Sequence, residues 1–144
     1  MQPYFDNAAT SYPKPDVVCD AMLSFQTICG ASPGRGSYTR AKRATETLEK
    51  CRSLLCSLVN APSTEHCIFT LNCSDALNLA IVGISNHFLD QGEPVHIVTT
   101  AMDHNSVLRP LHALSGRGVT HTVVAVNEST GIVNPNEIEH ATIL

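Results

Sequence analysis

Two short stretches of the 144-residue chain place reactive side chains where a backbone can present them. In "IFTLNCSDALNLAIVGI", residues 68–84, an apolar run ends at Asn72, Cys73 and Ser74 and resumes with a different apolar spacing. Small polar residues at such a junction let backbone N–H groups approach an anion, and Ser74 can add a hydroxyl to a phosphate oxygen while also capping the helix that follows. An ordinary helix start, a serine N-cap with Asp75 in the first turn, accounts for the same residues. The second stretch, "TTAMDHNSVLRP", brings Asp103 and His104 to an equivalent junction. An imidazole there can stack on a flat ring or exchange protons near neutral pH, or simply cap a helix.

These junctions need elements to hold them. A helix is expected from about Asp16 to Ile28, with Val17, Ala21, Phe25 and Ile28 on one face. "CGASPGRGSY" breaks it with three glycines and a proline. The next helix carries Ala41, Ala44, Leu48, Cys51, Leu55 and Leu58 at steps of three and four. Six of the nine cationic residues, Arg35, Arg40, Lys42, Arg43, Lys50 and Arg52, lie on or beside it, interleaved with Glu46 and Glu49, which reads as a solvated face. From residue 66 the pattern alternates. "HCIFTL" is expected as a strand before a helix at Ser74–Asn86, "VHIVTT" as a strand before a helix at Asn105–Ser115, and "VTHTVVAV" as a third strand. A last helix opens at Asn134, with Pro135 at its first position and Glu137 closing a capping box. Strands alternating with helices point to an α/β fold with a mainly parallel sheet, in which successive junctions face one crevice.

Composition narrows the classes of function. A hydrophobic fraction of 43% with 15% charged residues describes a chain that buries a core within one ordinary domain. The net charge of -4 and a pI near 5.9 give no support to a nucleic-acid or anionic-membrane partner. No apolar run reaches the roughly 20 residues that span a bilayer, and "MQPYFDNAAT" has no basic or apolar leader pattern, so a soluble, cytoplasmic protein is expected. Cys19, Cys29, Cys51, Cys56, Cys67 and Cys73 are irregularly spaced without a CxxC pair, and the seven histidines form no HExxH. Free thiols and no metal site are expected.

Five segments in order, "YFDNAATSYPKP", "SPGRGSY", "IFTLNCSDALNLAIVGI", "VTTAMDHNSVLRPLHAL" and "GIVNPNEIE", give the whole chain a resemblance. It resembles the N-terminal part of a class V aminotransferase-fold enzyme using pyridoxal 5'-phosphate (PLP), of the cysteine desulfurase family. The resemblance implies the first part of the large domain of the fold type I architecture, with residues 1–37 as N-terminal segment, first helix and Gly-rich loop, and 38–144 as long helix and alternating strands and helices. It places the PLP phosphate on Cys73 and Ser74, with Asn72 where glycine is frequent, and stacks His104 on the ring, where it assists proton transfers. Asp6, Asn7, Ala8 and Ala9 match the loop bordering the substrate, with Asn7 and Ala8 as substrate-binding residues. The implied reaction removes sulfur from L-cysteine as an enzyme persulfide and leaves alanine, in a homodimer that passes sulfur to an acceptor protein.

The family's Schiff-base lysine, its pyridinium-pairing aspartate and its persulfide cysteine would follow the His104 motif, whereas this chain's lysines are Lys14, Lys42 and Lys50. The rest of the large domain and the small domain are therefore expected to be absent, and the 144 residues alone to be inactive. Alternatives from other classes are a non-catalytic remnant or interaction module and a generic phosphate-binding domain; within the same fold, a selenocysteine lyase or another class V enzyme remains open.

Overall fold

The computed structural model describes residues 3–142, which form two compact units divided between Ile68 and Phe69. The first holds helix α1 (Asp16–Ser24), continued by a wider π turn over Phe25–Cys29, then helix α2 (Thr39–Val59) and a 3-10 turn at Thr64–His66. The first helix thus keeps α geometry only to Ser24, short of the expected Ile28. Its end is set by Gly30, whose φ of +50° suits a residue without a Cβ and whose N–H returns to the Phe25 carbonyl at 2.7 Å.

Helix α2 is regular, yet the expected stripe is not the buried one. Ala41, Ala44 and Cys56 are buried and Leu48 half-buried, whereas Cys51, Leu55 and Leu58 are exposed. The reason is geometric. At about 100° per residue, the 17 residues from Ala41 to Leu58 taken in five steps drift by about 100° off a straight line. The line Ala41, Leu48, Arg52, Cys56 drifts by about 60° in the opposite sense, and it is the one covered. Asn60 ends the helix in the left-handed region at φ +54°, and the Ala61 N–H closes on the Cys56 carbonyl.

The second unit contains helix α3 (Cys73–Asp90), strand β1 (His96–Thr100), helix α4 (Asn105–Ser115), strand β2 (Thr120–Val124) and helix α5 (Pro135–Thr142). The two strands are parallel, in register from His96 opposite Thr120 to Thr100 opposite Val124. The His96 ring spans that register, its Nδ1 2.8 Å from the Thr120 hydroxyl and its Nε2 3.0 Å from that of Thr122. Leu111, Leu114, Val119 and Val124 form the core, with α3 packed on α4 and α5 on both strands. The expected start of α5 is found: Asn134 Oδ1 accepts from the Asn136 N–H at 3.1 Å, although Glu137 reaches the Asn134 side-chain amide rather than its backbone.

One expected strand is not formed. His66 falls in the 3-10 turn and residues 67–71 are irregular after it, and Leu71 is 88% exposed. A strand exists only as one side of a ladder, and among the described residues β1 and β2 pair only with each other. No helix among the described residues is long and apolar enough to cross a membrane, and no group of three metal-binding side chains occurs among them.

Candidate active site

Chemistry-bearing residues of the second unit converge where α3 and α4 begin. Asn72, not Ser74, is the N-cap of α3. Its Oδ1 accepts the Asp75 N–H at 2.9 Å and its carbonyl accepts the Ala76 N–H at 3.1 Å. Asparagine takes the cap because its extended backbone (φ -161°) lets the side chain fold over the first turn, which moves Cys73 and Ser74 into the helix. Among the described residues no acceptor takes the N–H groups of Cys73 and Ser74. Two unsatisfied donors at the positive end of an 18-residue helix are chemistry suited to an anion.

Released from capping, the Ser74 hydroxyl lies 2.8 Å from that of Ser106, which in turn lies 2.8 Å from His104 Nδ1. His104 is the N-cap of α4, and its Nδ1 also accepts the Ser106 backbone N–H at 3.1 Å. An acceptor Nδ1 assigns the ring proton to Nε2. The capping and ligand readings of His104 are therefore compatible: one edge of the ring caps, and the other edge and the faces are left for a ligand. Ser74 and His104, chosen separately from the sequence, belong to one hydroxyl–imidazole relay. Ser106, which joins them, was missed; its signal was a hydroxyl residue two positions after a possible histidine cap.

Asp103 turns away from this relay and back onto its strand. Its Oδ2 accepts the Thr99 hydroxyl at 2.5 Å and the Thr100 N–H at 2.8 Å, closing the turn that delivers His104. These bonds, Thr99 first and then the Thr100 backbone, hold its carboxyl below the usual aspartate range against a smaller opposing effect of burial.

A cleft of about 480 Å³ lies along the relay, lined by Ser74, Asn78, His104, Ser106 and Arg109 among others. Arg109 is its one charged lining side chain and forms no ion pair among the described residues. Sequence reasoning missed Arg109 as well; it sits five residues past His104, which is not a simple helical face spacing.

Asn7 and Ala8 lie in the first unit, in the exposed turn after Asp6. Asn7 Oδ1 accepts the Tyr12 N–H at 3.2 Å, while the Tyr4 hydroxyl reaches the carbonyls of Asp6 and Thr10 at 3.0 Å each. The loop is thus held by its own side chains, and the Asn7 amide nitrogen stays available as a donor. Lys14, Lys42 and Lys50 all belong to this unit, with Lys14 bonded to the Ser11 carbonyl at 2.9 Å.

A family model for aminotransferase class-V matches residues 3–142. The chain belongs to the class-V aminotransferase family. Within it, the probable cysteine desulfurase of Methanothermobacter thermautotrophicus is 36% identical over 138 residues, covering 96% of this chain and 32% of that protein. Cysteine desulfurase IscS of Neisseria meningitidis serogroup C is 30% identical over 138 residues, covering 96% of this chain and 33% of that protein. Among solved structures, the apo cysteine desulfurase of Thermococcus onnurineus NA1 superimposes with a TM-score of 0.80 at 29% identity, over 96% of this chain and 33% of that one. A structure of SspA in complex with cysteine gives 0.80 at 26%, over 97% and 39%. The class-V chain described here therefore spans about a third of the length of these relatives, and the α/β architecture expected from its sequence is theirs.

Proposed function

We propose that these residues form part of a PLP site in a cysteine desulfurase, the phosphate held by the Cys73 and Ser74 N–H groups and the Ser74 hydroxyl, with His104 against the ring. The observation that carries this reading is the pair of unsatisfied α3 donors beside the Ser74–Ser106–His104 relay. The donor set fits the group: two N–H groups, a hydroxyl and a helix dipole face an anion, with no acidic side chain lining the cleft. When bound, PLP supplies the electron sink that such chemistry needs.

The chain's own residues then act as follows. Ser74 turns its O–H from Ser106 to a phosphate oxygen, which leaves Ser106 donating to His104 Nδ1. His104 keeps its proton on Nε2, where it can be given to or taken from a bound amino acid. Asp103 holds the turn that carries the imidazole, and the Asn7 amide nitrogen, beside Ala8, is the donor offered to the substrate carboxylate. L-cysteine as substrate, alanine as product, sulfur held as a persulfide for an acceptor protein, a homodimer and a cytoplasmic setting belong to the same reading. Support for the substrate comes from the names of the relatives and from the cysteine-bound SspA neighbour.

Titrating the chain with PLP while following its phosphorus resonance tests the site. Saturable binding, displaced by inorganic phosphate and weakened about tenfold by Ser74→Ala, is expected. Binding indifferent to both would refute the phosphate assignment. Alanine release from L-cysteine by the protein isolated from its own cells, lowered by His104→Ala, tests the reaction. A second reading, a non-catalytic module of the same fold, draws on the position of all three lysines in the first unit. Borohydride reduction with PLP separates the two when paired with an activity readout, since trapping on a specific lysine together with sulfide release from cysteine by the protein isolated from its own cells excludes it.

A further inference from the structure

The first unit holds a pair of thiols that the proposed site does not use. The segment Ser63–Cys67 lies against the C-terminal half of α2 and is tied there at two points. Arg52 Nε donates to the Cys67 carbonyl at 3.2 Å, and Cys56 Sγ, one helical turn further on, donates to the Ser63 carbonyl at 3.4 Å. Within the segment the Cys67 N–H closes on the Thr64 carbonyl at 3.1 Å. Cys56 is buried and Cys67 half-buried, both as free thiols. Arg52 and Cys56 are one turn apart on α2, so their bonds to the Cys67 and Ser63 carbonyls seat the segment carrying Cys67 beside the Cys56 side chain; burial pushes the Cys56 thiol up, and the neighbouring Cys67 thiol acts in the same direction. The other cysteines differ. Cys19, Cys51 and Cys73 are exposed, and Cys29 is buried with its thiol donating to the Arg40 carbonyl at 3.3 Å.

We propose that Cys56 and Cys67 are a redox site that closes into a reversible disulfide by exchange with a small-molecule disulfide such as oxidised glutathione. The more accessible Cys67 reacts first. Its thiolate attacks one sulfur of the oxidant, forming a Cys67–glutathione mixed disulfide and releasing one glutathione thiolate, which takes up the proton that Cys67 lost. The Cys56 thiolate then attacks the Cys67 sulfur, and the second glutathione leaves in the same way. The two protein thiols are oxidised, the external disulfide is reduced to two thiols, and no other electron carrier enters. Closure links α2 covalently to the 3-10 turn, so residues 63–67 can no longer lift from the helix. The bond joins positions 11 residues apart, a loop short enough to close readily once the segment is seated.

The test uses the full chain carrying Cys51→Ser and Cys73→Ser, treated with oxidised glutathione and cut after glutamate without reduction. Cleavage after Glu49, Glu65 and Glu93 separates residues 50–65, which then hold only Cys56, from 66–93, which hold only Cys67. The expected product is one cross-linked pair of these peptides from a monomer that has lost about 2 Da beyond any glutathione adduct on Cys19, reversed by dithiothreitol. Adding Cys56→Ser should leave glutathione on Cys67 as a stable adduct. A mixed disulfide that persists on Cys67 with Cys56 intact would overturn the proposal. So would both thiols remaining open to alkylation while Cys19 is modified, a bond to Cys19 or Cys29, or a cross-link found only between two chains.

Discussion

The Asp103 carboxylate accepts from the Thr99 hydroxyl and the Thr100 amide at once, and both bonds favour its charged form. Its proton affinity is lowered in the folded chain, so the stabilisation it provides is present above the ordinary aspartate value of about 3.9 and is lost as pH falls through the lower folded value. The Thr100 amide should keep its protection against hydrogen exchange down to that lower range and then lose it. Asp103→Asn should remove the dependence and speed Thr100 exchange about three- to tenfold at neutral pH. Superimposable protection curves for the two proteins would show that the carboxylate does not hold the turn. At the same scale, Ser106 teaches how far side-chain chemistry can be read without a structure. Ser74 and His104 were legible because each sits at a junction where an apolar pattern changes. The link from Ser106 to Ser74 and the place of Arg109 were not, because they depend on the packing of α3 against α4; only the bond of Ser106 to His104, two residues away, had a local signal.

The elements that were legible are those whose signals are local. Helix α4 runs from Asn105 to Ser115 as its flanking residues predict, β1 needs only a one-residue trim, and Asn134–Pro135 starts α5. The strand at 66–71 is the counterexample, since its apolar residues are present and its ladder partner is not supplied by β1 or β2. Capping can be checked directly. Asn72→Ala removes the acceptor of the Asp75 amide and should destabilise the start of α3 by about 1 kcal/mol, whereas Asn72→Gly should cost only a few tenths. Exchange of the Asp75 amide reports both, and equal effects would mean that another group caps the helix. In α2 the drift of the expected stripe makes a similar distinction. Leu58→Gln should change stability by less than about 0.5 kcal/mol because Leu58 is 78% exposed, while Ala44→Leu, at 3% exposure, should cost about 1–3 kcal/mol by overpacking. Chemical denaturation of the two variants, in whatever assembly keeps the chain soluble, checks the order.

Across the whole molecule, large apolar side chains stay in water. Val17, Leu23, Ile28, Leu54, Leu58 and Val59 are exposed in the first unit, and Leu71, Leu79, Ile84, Met102 and Ile132 in the second. Patches of this kind mark surfaces that associate. The 144 residues expressed alone are therefore expected to bind a hydrophobic dye and to associate at micromolar concentration. A sharp, monomeric two-state melt without dye binding would contradict this, and light scattering with calorimetry decides it. The apolar composition was visible in the sequence, but its distribution was not, because periodicity shows which residues can share a face and not whether anything covers it. The irregular stretch between the two units has one further consequence. Residues 68–71 belong to no helix or ladder and Leu71 protrudes, features of a segment that a protease can bind. Limited proteolysis of the chain is therefore expected to cut first at that joint, and anything that covers residues 68–71 is expected to lengthen its lifetime.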